Sequence, residues 1–141
     1  MLQLTFEPPQ HGWLIVRLDL EDSFLEFVAS DAPSNPIHEL ADALRSVADG
    51  YPAEVWWHLE PAGYFFSFEP RGDEITLTVL SSEDSEIEGR REIVVHSGGR
   101  AEVLLPFWQA LRQFESFQVD EPHWPPLEDL DWKEFGELLR S

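Results

Sequence analysis

The chain has 141 residues, 43% of them hydrophobic, with 28 acids against 9 bases and a net charge of −19. That length fits one domain with a real core, and the apolar and aromatic content excludes disorder for most of it. The charge repels nucleic acid and anionic membrane surfaces, both polyanions, so neither is an expected partner.

No run approaches the ~20 apolar residues of a membrane span. The start, Met1 to Glu7, lacks a basic region and a long apolar region, so no signal peptide is expected. Cysteine is absent, which removes disulfide and thiolate chemistry. A cytoplasmic chain fits these features best. The acidity would attract a basic partner and speed encounter with it; solubility alone is the alternative use of the same charge.

Leu2 to Phe6 reads as a short strand ended by Pro8-Pro9, and His11-Gly12 as a turn. Trp13 to Leu20 alternates, with Leu14, Val16, Leu18 and Leu20 on one face and Trp13, Ile15, Arg17 and Asp19 on the other. Ser23 to Ala29 resumes as its hairpin partner. Asn35 then suits a helix N-cap and Pro36 the first helical position. Ile37, Leu40, Ala41, Leu44, Val47 and Ala48 follow helical spacing, and Gly50 stands where a left-handed residue ends a helix. The helix expected is Ile37–Asp49.

Three runs rich in β-branched and aromatic residues follow, Glu54–Glu60, Tyr64–Pro70 and Glu74–Leu80, split by Pro61-Ala62-Gly63 and Arg71-Gly72-Asp73. Alternation gives an apolar face holding Val55, Trp57, Leu59, Tyr64, Phe66, Phe68, Ile75, Leu77 and Val79. The other face mixes acids and threonines with Trp56 and Phe65. Antiparallel sheets tolerate one wet face, but two large aromatics on it need either a cover or a partner.

Ser81 to Glu92 is an acidic loop. Ile93 to His96 is a further strand, and Ser97-Gly98-Gly99 a turn into a second helix with Leu104, Phe107, Trp108, Leu111 and Phe114 as its stripe. Pro106 places the regular start of that helix near Leu105. After an extended stretch, Asp131 can cap a last helix through Leu139, with Trp132, Phe135, Leu138 and Leu139 on one side. Residues 1–117 are expected as an α+β domain, with 118–141 as a tail packed on it, Trp124, Trp132 and Phe135 buried and the mixed sheet face as the docking place. The fold class expected is α+β: an antiparallel meander with two main amphipathic helices on one face and a docked C-terminal helix.

Catalytic signals are weak. His58, Glu60 and Glu69 could meet across the first hairpin for acid–base work, but ordinary polar residues on a solvated face explain them as well. No histidine pair has metal-ligand spacing and no calcium loop occurs. Neither a cofactor, a metal nor a catalytic residue is expected. Ser97-Gly98-Gly99-Arg100 joins a strand to a helix, but one glycine pair is a weak anion signal. Arg71-Gly72-Asp73 matches an integrin-recognition tripeptide, and turn chemistry accounts for it better.

The order of elements, with the Glu60-Pro61-x-Gly63-Tyr64-Phe65 turn and its aromatic hairpin, resembles small acidic bacterial immunity proteins of the WapI type. The likeness covers Trp13 to Phe117; the tail from Gln118 departs from it. The resemblance implies a non-enzymatic inhibitor that occludes a basic toxin domain, with no catalytic residues to carry over. On that reading the contact surfaces expected are Trp56, Glu60, Phe65 and Glu69 of the sheet and Glu83, Asp84, Glu86 and Glu88 of the loop. Two other readings stay open. One is a small enzyme or ligand-binding domain with a pocket between sheet and helices; the other is a homodimer that buries Trp56 and Phe65 by symmetric pairing.

Overall fold

The computed structural model describes residues 2–31, 35–59, 62–83, 89–117 and 131–140. They form a seven-stranded antiparallel sheet whose strands neighbour one another in chain order. The strands are β1 (Gln3–Phe6), β2 (Trp13–Asp19), β3 (Phe24–Ser30), β4 (Ala53–His58), β5 (Gly63–Arg71), β6 (Glu74–Ser82) and β7 (Arg91–Gly99). The helices are α1 (Pro36–Ala48), α2 (Arg100–Ser116) and α3 (Trp132–Arg140). This is the α+β meander expected from alternation, with the helices against its apolar face.

Local chemistry sets the turns. In the β1–β2 hairpin His11 (φ 53°) and Gly12 (φ 84°) are both left-handed, and Gln10 and Trp13 exchange backbone bonds of 2.9 Å. Two positive φ values make the turn that matches the twist of the flanking strands. Arg71 pairs with Glu74 around Gly72 (φ 61°), so the Arg-Gly-Asp tripeptide is a hairpin turn.

Helix α1 is closed at both ends. Asn35 Oδ1 accepts from the Ile37 and His38 amides at 2.9 and 3.4 Å. At the far end the Gly50 amide donates to Val47 O and the Tyr51 amide to Ser46 O, with Gly50 at φ 91°. That pair of bonds uses carbonyls a helix end otherwise leaves open.

The core lies between sheet and helices. Leu14, Val16 and Leu18 of β2, Leu40 and Leu44 of α1, Trp57, Phe66, Phe68, Leu77, Val79 and Leu111 are fully buried. Trp108, expected in the core, is only partly buried against it. The weakest lateral joint is β3–β4, where one residue pair, Ser30 and His58, carries the register. Aromatic packing spans this joint instead. Phe27 of β3 lies 4.9 Å from Tyr64, 5.8 Å from Trp57 and 6.1 Å from Phe66, ring centre to ring centre.

Three expectations need correction. Helix α2 starts at Arg100, so Pro106 lies inside it rather than at its start. Val103, Leu104 and Phe107 flank the proline and are fully buried. Each such side chain contributes about 1.5–3 kcal/mol, enough to outweigh the ~3 kcal/mol cost of an internal proline. Gly98 and Gly99 are not a turn but the end of β7, paired with Ile75 and Glu74. A Cβ on Gly98 would stand 2.9 Å from the Glu102 carboxylate, so glycine leaves room for that side chain.

The tail helix does not cover the mixed sheet face. It packs on α1 and α2, with Phe135 and Leu139 buried. The expected cap is present: the Glu134 amide donates to Asp131 Oδ1 at 3.0 Å. Gly136 allows the close approach, since a Cβ there would lie 3.2 Å from the Trp108 indole. Trp108 Nε1 donates to Trp132 O at 3.1 Å. Arg100, the first residue of α2, donates through Nη2 to Ala48 O and, at 3.1 Å, to Leu138 O. One guanidinium thus serves the C-terminal carbonyls of α1 and α3 together, where a cation is favoured. Trp124 lies outside the described residues.

Candidate functional site

With the helices on one side, the other face of the sheet is left without a helix among the described residues. Register decides what it presents. On β2 and β3, Trp13 faces Ser30, Ile15 faces Val28, Arg17 faces Glu26 and Asp19 faces Phe24. Trp13, Ile15, Val28 and Phe24 are 39%, 36%, 43% and 62% exposed, so this half of the face presents apolar groups to water: Trp13 with Ile15 and Val28, and Phe24 beyond the Arg17–Glu26 pair. Arg17 lies 4.2 Å from the centre of the Phe24 ring. Its Nε is 3.0 Å from Asp19 Oδ1 and its Nη1 3.6 Å from Glu26 Oε2. Two carboxylates on one guanidinium leave the rim net negative.

The other half of the face holds Trp56 and Phe65. They are directly paired, with ring centres 4.3 Å apart and planes at 33°. The Trp56 ring lies across Gly63, where an added Cβ would come within 2.5 Å of it. A Cβ there would also run into the Trp57 backbone carbonyl, closer still, which is why β5 begins with a glycine. Arg90 covers Phe65. Its guanidinium carbon sits 3.5 Å from the Phe65 ring centre, and Nη1 is 2.9 Å from Glu54 Oε2. Gly89, at φ 82°, turns the chain just before it. Phe65 is therefore only 5% exposed, and Trp56 is half-buried. The expected pair of exposed aromatic anchors is in fact a covered stack.

The other expected contact residues are dispersed. Glu69 is exposed at the far end of β5 and 3.5 Å from Arg71, a solvated pair of little energetic weight. Glu83 is exposed and lines a cleft of about 290 Å³ with Leu59, Tyr64, Ser82 and Arg91. Glu60, Asp84, Glu86 and Glu88 lie outside the described residues. The acid–base set does not assemble: His58 pairs with Gly63, and Glu69 stands further along β5 by about 20 Å.

A second cleft, about 380 Å³, opens between the β2–β3 turn and β7. Glu21, Asp22, Glu102 and His96 line it, and His96 Nε2 is buried without a hydrogen-bond partner. The first cleft is lined by strand and loop residues, while the second takes Glu102 from α2 as well as residues of β7 and the β2–β3 turn. Among the described residues no group of three or more histidine and carboxylate side chains is placed to hold a metal, and no helix is long and apolar enough to cross a membrane.

Base usage sharpens the surface charge. Arg45 lies over Phe135 at 5.5 Å and Arg112 over Trp108 at 5.4 Å. Arg17, Arg90 and Arg100 are likewise engaged by the chain's own rings, carboxylates and carbonyls. These five of the nine bases thus have partners within the chain, while Glu7, Asp42, Asp49, Glu74 and Glu92 are exposed.

No family model matches this chain, and searches of curated proteins and of solved structures return no significant match either.

The exposed cluster was within reach of the sequence, since alternation already separates Trp13 and Ile15 from Leu14 and Val16. Nothing local marked it as less covered than Trp56 and Phe65. That difference comes from Arg90, a contact far along the chain.

Proposed function

We propose that the helix-free face of the sheet docks a basic protein, and that this chain is an immunity-type inhibitor that occludes a basic toxin domain. The observation that carries the reading is the exposed Trp13–Ile15–Val28–Phe24 cluster in an acidic rim, on a chain of net charge −19. An apolar patch with a charged border is the anatomy of a protein-binding surface. The ring and aliphatic groups would anchor a partner and slow its release, while the carboxylates would steer it in. Exposed Glu83 and Glu69, with Glu60, Asp84, Glu86 and Glu88, belong to the steering set. The chain acts by covering a surface and needs no catalytic group or cofactor, consistent with a cytoplasmic inhibitor.

A homodimer would use the same face. Opposing two copies of so acidic a surface adds repulsion, which favours a basic partner over self-pairing. The test is co-expression with the product of an adjacent toxin gene. Growth rescue and co-purification support the reading; failure of both, with both proteins folded, refutes that pairing.

A further inference from the structure

We infer that Glu54, Trp56 and Phe65 form a receptacle for a guanidinium group, filled here by the chain's own Arg90, which an arginine of a basic protein can take over. The geometry is that of a guanidinium site in each part. Phe65 supplies a ring face 3.5 Å from the guanidinium carbon. Glu54 supplies a carboxylate oxygen 2.9 Å from Nη1. Trp56, stacked on Phe65 at 4.3 Å and braced against Gly63, fixes the tilt of that ring. A flat cation that stacks on a ring while bonding a carboxylate is an arginine; a lysine offers a point charge with no plane to stack.

The present occupant fills the receptacle incompletely. Arg90 Nε is buried without a hydrogen-bond partner, in a side chain that is 17% exposed. A guanidinium arriving from outside on a different path is free to leave that donor in water. Arg90 also enters from a turn at Gly89, whose φ of 82° lies outside any regular strand. It is held by side-chain contacts rather than by the sheet ladder, which begins at Arg91. Arg17 differs, because its Phe24 ring is 62% exposed and its own carboxylates flank it on the strands. Arg100 differs too, because helix carbonyls hold it. The inference rests on the docking reading only for the source of the incoming arginine.

The test needs no partner protein. Arg90→Ala, folded as judged by its amide spectrum, is titrated with N-acetyl-arginine amide. The readout is the Trp56 indole N–H resonance, assigned by comparison with Trp56→Phe. A saturating shift is expected with a Kd on the order of 1–10 mM. The native chain should respond more weakly, by a factor of about two or more, because its tethered Arg90 competes at an effective concentration comparable with that Kd. N-acetyl-lysine amide should give no saturation, and Glu54→Gln added to Arg90→Ala should abolish the response. If Arg90→Ala does not fold, Arg90→Gln, which keeps part of the stem, takes its place. A folded variant that shows no saturation, or that responds equally to lysine, overturns the receptacle and leaves the docking face standing. A saturating response in a chain that binds no basic protein would keep the receptacle and remove the docking reading.

Discussion

Replacing Arg100 by Met tests how the three helices are tied together. The guanidinium Nη2 donates to Ala48 O at the end of α1 and to Leu138 O at the end of α3. A hydrogen bond from a charged donor contributes about 1.5–3 kcal/mol, and a cation near a helix C-terminus adds about 0.3–1 kcal/mol per helix. Against this, Arg100 Nε is buried without a partner, a cost of about 1–3 kcal/mol that Met removes. Water can reach the freed carbonyls, which are only part-buried, so the two bonds count at the lower end. The net expectation is a loss of about 2 kcal/mol, a small excess of lost bonding over relieved desolvation. Urea unfolding followed by circular dichroism measures it; at a slope of about 1–3 kcal/mol/M the midpoint should fall by about 1 M. Arg100→Lys keeps the charge but not the fork and should lose less. A Met variant within about 0.5 kcal/mol of the native chain would refute the idea that this residue joins α1 and α3.

Two further predictions concern packing. Phe27→Ala should cost about 3–5 kcal/mol, because Phe27 is the ring that bridges a joint with a single paired residue between β3 and β4; a cost under 1 kcal/mol would mean that the joint is held otherwise. Truncation after Phe117 should lower the melting temperature and promote aggregation, because it uncovers the surfaces that Phe135 and Leu139 bury. An unchanged melting temperature in that truncation would refute the docking of α3.

The sequence carried the fold where the signals are local. Asn35, Pro36 and Gly50 mark the ends of α1 by their own chemistry, and Asp131 marks the start of α3. Alternation ordered the faces of β2, β4, β5 and β6 because side chains repeat with a period of two. Local signals misled where distant packing decides. Pro106 reads as a helix start until Val103, Leu104 and Phe107 are seen buried around it. Gly98 and Gly99 read as a turn because their pairing with β6 and the Glu102 carboxylate over Gly98 are long-range or side-chain facts. The place of α3 depends on an arginine and a tryptophan of α2.

The candidate surface was legible in the same uneven way. That the face carrying Trp56 and Phe65 is the wetter one follows from alternation. That Phe65 is covered depends on Arg90, which follows the turn at Gly89. Charge sets the sign of the proposed partner, but charge alone ranks no residue above another. Exposure and pairing do that, and they move the anchors from the β4–β5 stack to the β2–β3 cluster.

The most direct measurement of the docking reading is the kinetics of binding to the product of an adjacent toxin gene, with the native chain beside Trp13→Ala. Trp13 is 39% exposed at the start of β2, beside Ile15 and Val28, and is not one of the buried core residues. The substitution should leave folding intact and association nearly unchanged, and should speed dissociation by about tenfold or more, the effect of losing an aromatic anchor. Raising the salt should slow association of both proteins alike, since the carboxylates remain. A Trp13→Ala chain that binds and releases such a partner as the native chain does would contradict the account.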